Sequence, residues 1–326
     1  KDVIFDLGSV SSFESLMARF LAGDRPALAG LSRLLSGPLE RAPRAGGTLV
    51  VVPDGLLAFL PFEALPGPAG RPLALRVRVV YAVSAWEWAR GGKEIPLKRG
   101  GKVQFLWGGN KAGTFLPYRF GLLRERFFPG GGPPREEGLP PLPGVEASFR
   151  GEAGLEEAAK SGMWEKAGIL HFRVPAFFDG LVPAAACLRL GPGKRDPGLS
   201  LWDRPDGVLT PGEILRIPLA GRVVVLWEGR MGPKGAEGAW RPEGLFCLVR
   251  AFLASGARGV LLARGPGRGP AAARFDALVL EALGKGDPAR ALAAVQRKWL
   301  ETEGKETGAG DPRAWARFAW WEGSRP

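Results

Sequence analysis

The chain holds one histidine, His171, and two cysteines, Cys187 and Cys247, among its 326 residues. So few soft ligands exclude a zinc site built from several His and Cys side chains, and the chain is expected to carry no metal or cofactor. Both cysteines sit inside apolar runs. A disulfide framework is therefore not expected, and a reducing, cytoplasmic setting is. No uncharged apolar run reaches the roughly 18 residues of a membrane-spanning helix, so no membrane partner is expected. Amides are almost missing: Asn110 is the single asparagine and Gln104 and Gln296 are the two glutamines, while Gly (49) and Pro (30) abound. Few amides and many prolines make a thermophile-like composition. Acidic side chains are the scarcer sign, since Lys plus Arg exceed Asp plus Glu by 45 − 33 = 12. A basic surplus suits nucleic acid, an anionic surface or an acidic protein. No block of about five basic residues and no basic stripe studded with aromatics occurs. Nucleic acid is thus a partner that the charge permits and the pattern does not indicate.

What is present reads as an α/β protein. From Phe13 to Leu39 the pattern is helical, with Phe13, Leu16, Met17 and Phe20 on one face and Gly23 as a stop. Strands are predicted over 48–53, ended by Pro53-Asp54-Gly55, and over 75–83 and 103–107. These belong to an N-terminal part, residues 1–128. Residues 129–144 (PGGGPPREEGLPPLPG) form a Gly/Pro-rich connection, and 145–326 form the core. In that core the spacing predicts a helix over 145–161, strands over 167–172, 186–190 and 222–227, and a helix over 244–256 capped by Gly256. A strand over 259–264, helices over 271–283 and 288–302, and a strand-like close over 316–323 complete it. Strands that alternate with helices imply a mainly parallel sheet with helices on both faces.

In such sheets ligands sit beyond the carboxyl ends of the strands. The candidates are therefore Arg173-Val174-Pro175-Ala176, Trp227-Glu228-Gly229-Arg230, and Gly265-Pro266-Gly267-Arg268-Gly269. Glu228, at the tip of a buried strand, is either an acid or base of raised pKa or one half of an ion pair with Arg173, Arg230 or Arg264. GPGRGP (265–270) lacks both GxxxxGK[ST] and GxGxxG, so it reads as a surface loop or a basic loop that touches a partner. Trp299, Trp315, Trp320 and Trp321 crowd the C-terminal part. Trp320 and Trp321 face opposite ways in a strand, so one is either covered by a helix or exposed for an interface.

The motifs LVVVPDGLLAFLPFEALPG (49–67), LPGVEASF (142–149) and AGILHF (167–172) are followed by PDGVLTPGEILRIPLAGRVVVL (205–226). EGLFCLVRAFLASGARGVLLA (243–263) and DPRAWARFAWWEG (311–323) come next, and FDLG (5–8) opens the series. In order and spacing this resembles the CHAT domain, a caspase-like domain often attached to tetratricopeptide repeats. The resemblance covers essentially the whole chain. It implies a three-layer α/β/α sandwich of the clan that includes separase, and a Cys–His dyad carried at the ends of two adjacent strands. In that chemistry a thiolate attacks the carbonyl and the imidazole protonates the leaving amine. The family's first strand runs on as His-Phe, two residues, then the catalytic His-Gly. On this sequence His171-Phe172 match, Arg173 and Val174 fill the gap, and Pro175-Ala176 fall on the catalytic His-Gly. The second strand ends Leu-Ser-Ala-Cys in the family; here Leu226 is followed by Trp227, Glu228 and Gly229, so Gly229 stands at the nucleophile.

Both halves of the dyad are thus replaced, and a pseudoprotease is expected. His171 reads as a core histidine, with a rescued base as the sharper alternative; Cys247 reads as a buried hydrophobe; Cys187 is the cysteine nearer the former site. The resemblance implies a protein partner, an active paralogue or a repeat module among them. The rival readings are a cysteine-independent hydrolase using Glu228 and a basic nucleic-acid-associated protein.

Overall fold

The computed structural model describes residues 10–22, 24–40, 45–67, 70–85, 88, 102–107, 147–150, 167–178, 186–189, 208–231, 243–264, 269–283, 285–307 and 311–322. The 129–144 connection, the loop 265–268 and FDLG at 5–8 lie outside them. The N-terminal helical pattern resolves into three helices, α1 (Val10–Ala22), α2 (Arg25–Leu34) and α3 (Ser36–Glu40). The break after α1 is local chemistry. Asp24, in extended conformation, precedes a helix with proline in its first turn, and its carboxylate accepts from Arg19 Nε at 2.7 Å.

Among the described residues, ten strands make one mixed sheet. They are β1 (Thr48–Val51), β2 (Arg78–Tyr81), β3 (Lys102–Trp107), β4 (Ala147–Arg150), β5 (Ala167–Phe178), β6 (Cys187–Arg189), β7 (Val208–Leu209), β8 (Val223–Met231), β9 (Gly259–Ala263) and β10 (Phe318–Glu322). The main path runs β1-β2-β10-β9-β8-β5-β3-β4, with β6 on β5 and β7 on β6. From β9 to β4 all neighbours are parallel, whereas β10 runs antiparallel to β9. The N-terminal strands reach both ends of the path: β1 and β2 join at β10, and β3 lies between β5 and β4. Central parallel strands are covered on both faces, so their sequences are unbroken apolar runs. Val223–Leu226 of β8 expose 1% or less.

Helices α5 (Glu243–Ala254), α6 (Gly269–Leu283) and α7 (Pro288–Thr307) cover the sheet, and two short ones, α4 (Pro211–Ile214) and α8 (Pro312–Trp315), join elements. The aromatic residues of β10 assign α5 and α6 to opposite faces. Alternation puts Phe318 and Trp320 on one face and Trp321 on the other. Phe318 stacks on Phe275 of α6 at 6.3 Å, and Phe275 meets Trp299 of α7 edge-on at 5.4 Å. Trp321 meets Phe246 of α5 at 5.7 Å and Tyr81 of β2 at 5.4 Å. Trp320 and Trp321 are 1% and 0% exposed, so the reading of an exposed interface tryptophan is overturned. Both faces are covered there.

Two further expectations change. The predicted helix over 145–161 contains a strand, β4, because residues 147–150 add to the free side of β3; residues 151–161 lie outside the described ones. The strands predicted to end at 172 and 227 run on to Phe178 and Met231, because each continues to pair with the other. Gly256 does cap α5, at φ +95, where a side chain would be strained. Gly259 is required for a different reason. A Cβ there would stand 2.3 Å from Trp320 Cζ2 and 2.8 Å from the Trp321 carbonyl oxygen. Gly259→Ala is expected to cost about 1–3 kcal/mol by overpacking, read as a lower denaturation midpoint with the fold retained. No helix among the described residues is long and apolar enough to cross a membrane.

Candidate functional site

The candidate site is the stretch where β5 and β8 run on together. Up to Phe172 the two strands are in simple register, His171 opposite Val225 and Phe172 opposite Leu226. Beyond that the register shifts, and Pro175 stands opposite Glu228, Ala176 opposite Gly229, Phe177 opposite Arg230 and Phe178 opposite Met231. The shift is a bulge: β5 spends 175 − 172 = 3 steps where β8 spends 228 − 226 = 2. Proline has no N–H for the ladder, so inside a sheet it belongs at such an irregularity. On the other side of β5, β6 pairs antiparallel, with Ala176 opposite Leu188 and Phe177 opposite Cys187. Ala176, Ala186 and Leu188 are all buried, at 1%, 0% and 0%.

This brings together, on adjacent strands, the positions that the sequence singled out: Pro175, Glu228, Gly229 and Arg230. Arg173 stands opposite Trp107 of β3. Arg268 lies outside the described residues. His171 is buried at 1% within β5, with Phe105 of β3 on one side and Val225 of β8 on the other. Phe172, its neighbour, packs on Phe252 of α5 at 5.6 Å, so His171 belongs to the opposite face of the sheet. Neither Cys187 nor Cys247 is in a disulfide, and both are of intermediate exposure. Burial pushes the Cys247 thiol up, opposed by Arg250. A raised thiol keeps less thiolate at neutral pH and is the poorer nucleophile for it. Among the described residues no three His, Cys, Asp or Glu are grouped so that they could hold a metal ion.

Arg264 has a partner that the sequence did not suggest. β9 ends at Ala263, and the Arg264 guanidinium turns into a buried cluster rather than an open edge. Its Nη1 donates to Glu63 Oε2 at 3.1 Å and to the Ala316 carbonyl at 3.0 Å, and its Nη2 donates to Glu63 Oε1 at 3.4 Å. The Tyr81 hydroxyl donates to the same Glu63 Oε2 at 3.0 Å, and the guanidinium lies 4.6 Å from the Tyr81 ring centroid. Glu63 and Arg264 side chains are 1% and 5% exposed. A charge so far from water needs a counter-charge, and here it comes from a signature loop 201 residues away in sequence. The one sequence signal was an acidic residue inside an apolar run, PFEAL. A second buried pair, Arg317 with Asp276 of α6, fixes the chain just before β10, with Arg317 Nε to Asp276 Oδ1 at 2.9 Å.

The cluster has a pH signature. Burial, opposed by the Arg264 charge and reinforced by Glu63, holds the Tyr81 phenol well above the ordinary tyrosine range. Below pH about 10 both folded and unfolded chains keep this proton. Above it the unfolded chain releases the proton and the folded one does not, so stability falls as pH rises. Denaturant midpoints between pH 8 and 11 are expected to drop on the alkaline side, with the Tyr81 share approaching about 1.4 kcal/mol per pH unit. Tyr81→Phe should flatten that limb; an unchanged limb would remove Tyr81 as its source.

The model of the CHAT domain family matches residues 25–321. No curated protein matches the chain closely enough to count as a relative. The matched span runs from the start of α2 to Trp321 of β10 and takes in every strand of the sheet. With a mainly parallel α/β sheet and the family's model over most of its length, this chain belongs to the CHAT-domain family of caspase-like proteins.

Proposed function

We propose that this chain is a noncatalytic member of its family, a pseudoprotease that serves as a protein-binding or regulatory module. The observation that supports it is the pair of residues at the positions aligned with the family's dyad. Pro175 and Gly229 stand there, and neither carries a nucleophile or a proton-transfer group. Two further placements support it: His171 is enclosed in the sheet, and Cys247 sits on α5. Cys187 lies on β6 opposite Phe177. Glu228 stands opposite a proline, and acid–base chemistry by that carboxylate would need a second titrating group within reach.

The test uses the full chain. It is expected to release no product from a panel of fluorogenic peptides and to show no rapid, stoichiometric labelling by cysteine-directed electrophiles. Labelling of Cys187 that disappears in His171→Ala would sink the proposal. So would a turnover that Glu228→Gln abolishes without moving the melting temperature. A nuclease-treated pull-down from the native cells is expected to return a stoichiometric protein partner. Recovery of nucleic acid, with binding that weakens steeply with salt, would move the function to that class instead.

A further inference from the structure

Resting on that reading of positions 175 and 229, we propose that the dyad is excluded by strand register as well as by residue identity. The ladder holds the two positions on opposite faces of the sheet, so restoring both side chains would not restore a working pair. In a parallel ladder, directly opposed residues share a face and successive residues alternate. Position 175 is opposed to 228, and 229 to 176. Position 229 is one step beyond 228 and therefore belongs to the other face from 175.

The bulge produces this phase. Counting evenly from Phe172 opposite Leu226, three steps along each strand would set 175 opposite 229, on one face. The extra residue of β5 between Phe172 and Pro175 removes one step of β8 and turns the pair out of phase. β6 holds the register in place. Ala176 has a strand on each side, β8 and β6, and is buried with Leu188 and Ala186. A slip by one residue would carry that buried set to the other face.

The register can be read with paired substitutions in the full chain. P175H is combined in one protein with G229C, the family-aligned arrangement, and in another with E228C, the directly opposed arrangement. Alkylation of the introduced thiol by iodoacetamide is followed against pH by peptide mass spectrometry, with the single cysteine variants as references. P175H is expected to lower the midpoint of the thiol introduced by E228C by about one pH unit or more, as a neighbouring imidazolium does. It is expected to move the thiol introduced by G229C by less than about 0.3 unit, and P175H/G229C is expected to cleave no peptide. Equal shifts in the two backgrounds, a larger shift with G229C, or turnover by P175H/G229C would overturn the proposal. Hydrogen exchange on the unaltered chain keeps the question decidable if a variant does not fold. Peptides covering 176–178 and 228–231 are expected to exchange at least about 100-fold slower than the unfolded chain, and exchange at the unfolded rate would overturn the ladder. Turnover by the unaltered chain would remove the noncatalytic reading and leave the register to the exchange data. Turnover gained only by P175H/G229C would remove the register argument and leave the noncatalytic reading intact.

Discussion

Glu63→Ala should destabilise the protein by about 3–5 kcal/mol, because it leaves the Arg264 guanidinium buried without its counter-charge. The size of the effect comes from what remains rather than from what is removed. Arg264 keeps one acceptor, the Ala316 carbonyl, and the Tyr81 hydroxyl loses Glu63 while its oxygen still accepts from the Phe62 N–H at 3.2 Å. Replacing both charged partners by apolar residues of similar volume, E63L/R264M, is expected to be near neutral or stabilising, since desolvation of two ions is then avoided. Urea unfolding of the three proteins separates the accounts. A single substitution costing under about 1 kcal/mol would mean that the guanidinium finds water or another acceptor when Glu63 is gone.

Trp321→Ala is the other large effect, at about 3–5 kcal/mol. The indole is fully buried and touches two elements, Tyr81 of β2 and Phe246 of α5, so the cavity left behind cannot close by the movement of one side chain. Leu215→Ala makes the control: at 54% exposure it should change stability by no more than about 0.5 kcal/mol. Because Trp321 packs on Tyr81, and Tyr81 bonds to Glu63, the losses from E63A and W321A should fail to add. Additive losses would separate the aromatic contact from the ionic cluster.

Most of the architecture is legible in the sequence where one period dominates. β8 and β9 are continuous apolar runs with helices between them, which is what a doubly covered parallel strand must be. The family's order of motifs carries the rest of the fold. Two failures have physical causes. Over 145–161 the helical spacing competes with a short alternation, Val145, Ala147 and Phe149, and pairing with β3 decides for the strand. In RVPAFF, proline reads as the end of a strand, yet a bulge accommodates it and β5 continues. The candidate site was legible as a set of positions and not as a register, because one extra residue in one strand has no signature in composition or periodicity. Arg264 and Glu63 were invisible as a pair for a simpler reason: 201 residues separate them, and only the folded sheet sets them side by side.

The placement of β10 bears on how the protein is made. Residues 318–322 follow all the other strands in the chain, yet they sit between β9 and β2, holding the earliest strands to the middle of the sheet. During synthesis β2, already able to pair with β1, must wait until Phe318–Glu322 is made before its other neighbour exists. Contacts of such long sequence separation are slow to form and leave strand edges open meanwhile. A nascent chain stalled before Phe318 is therefore the form most exposed to misassembly and to capture by chaperones.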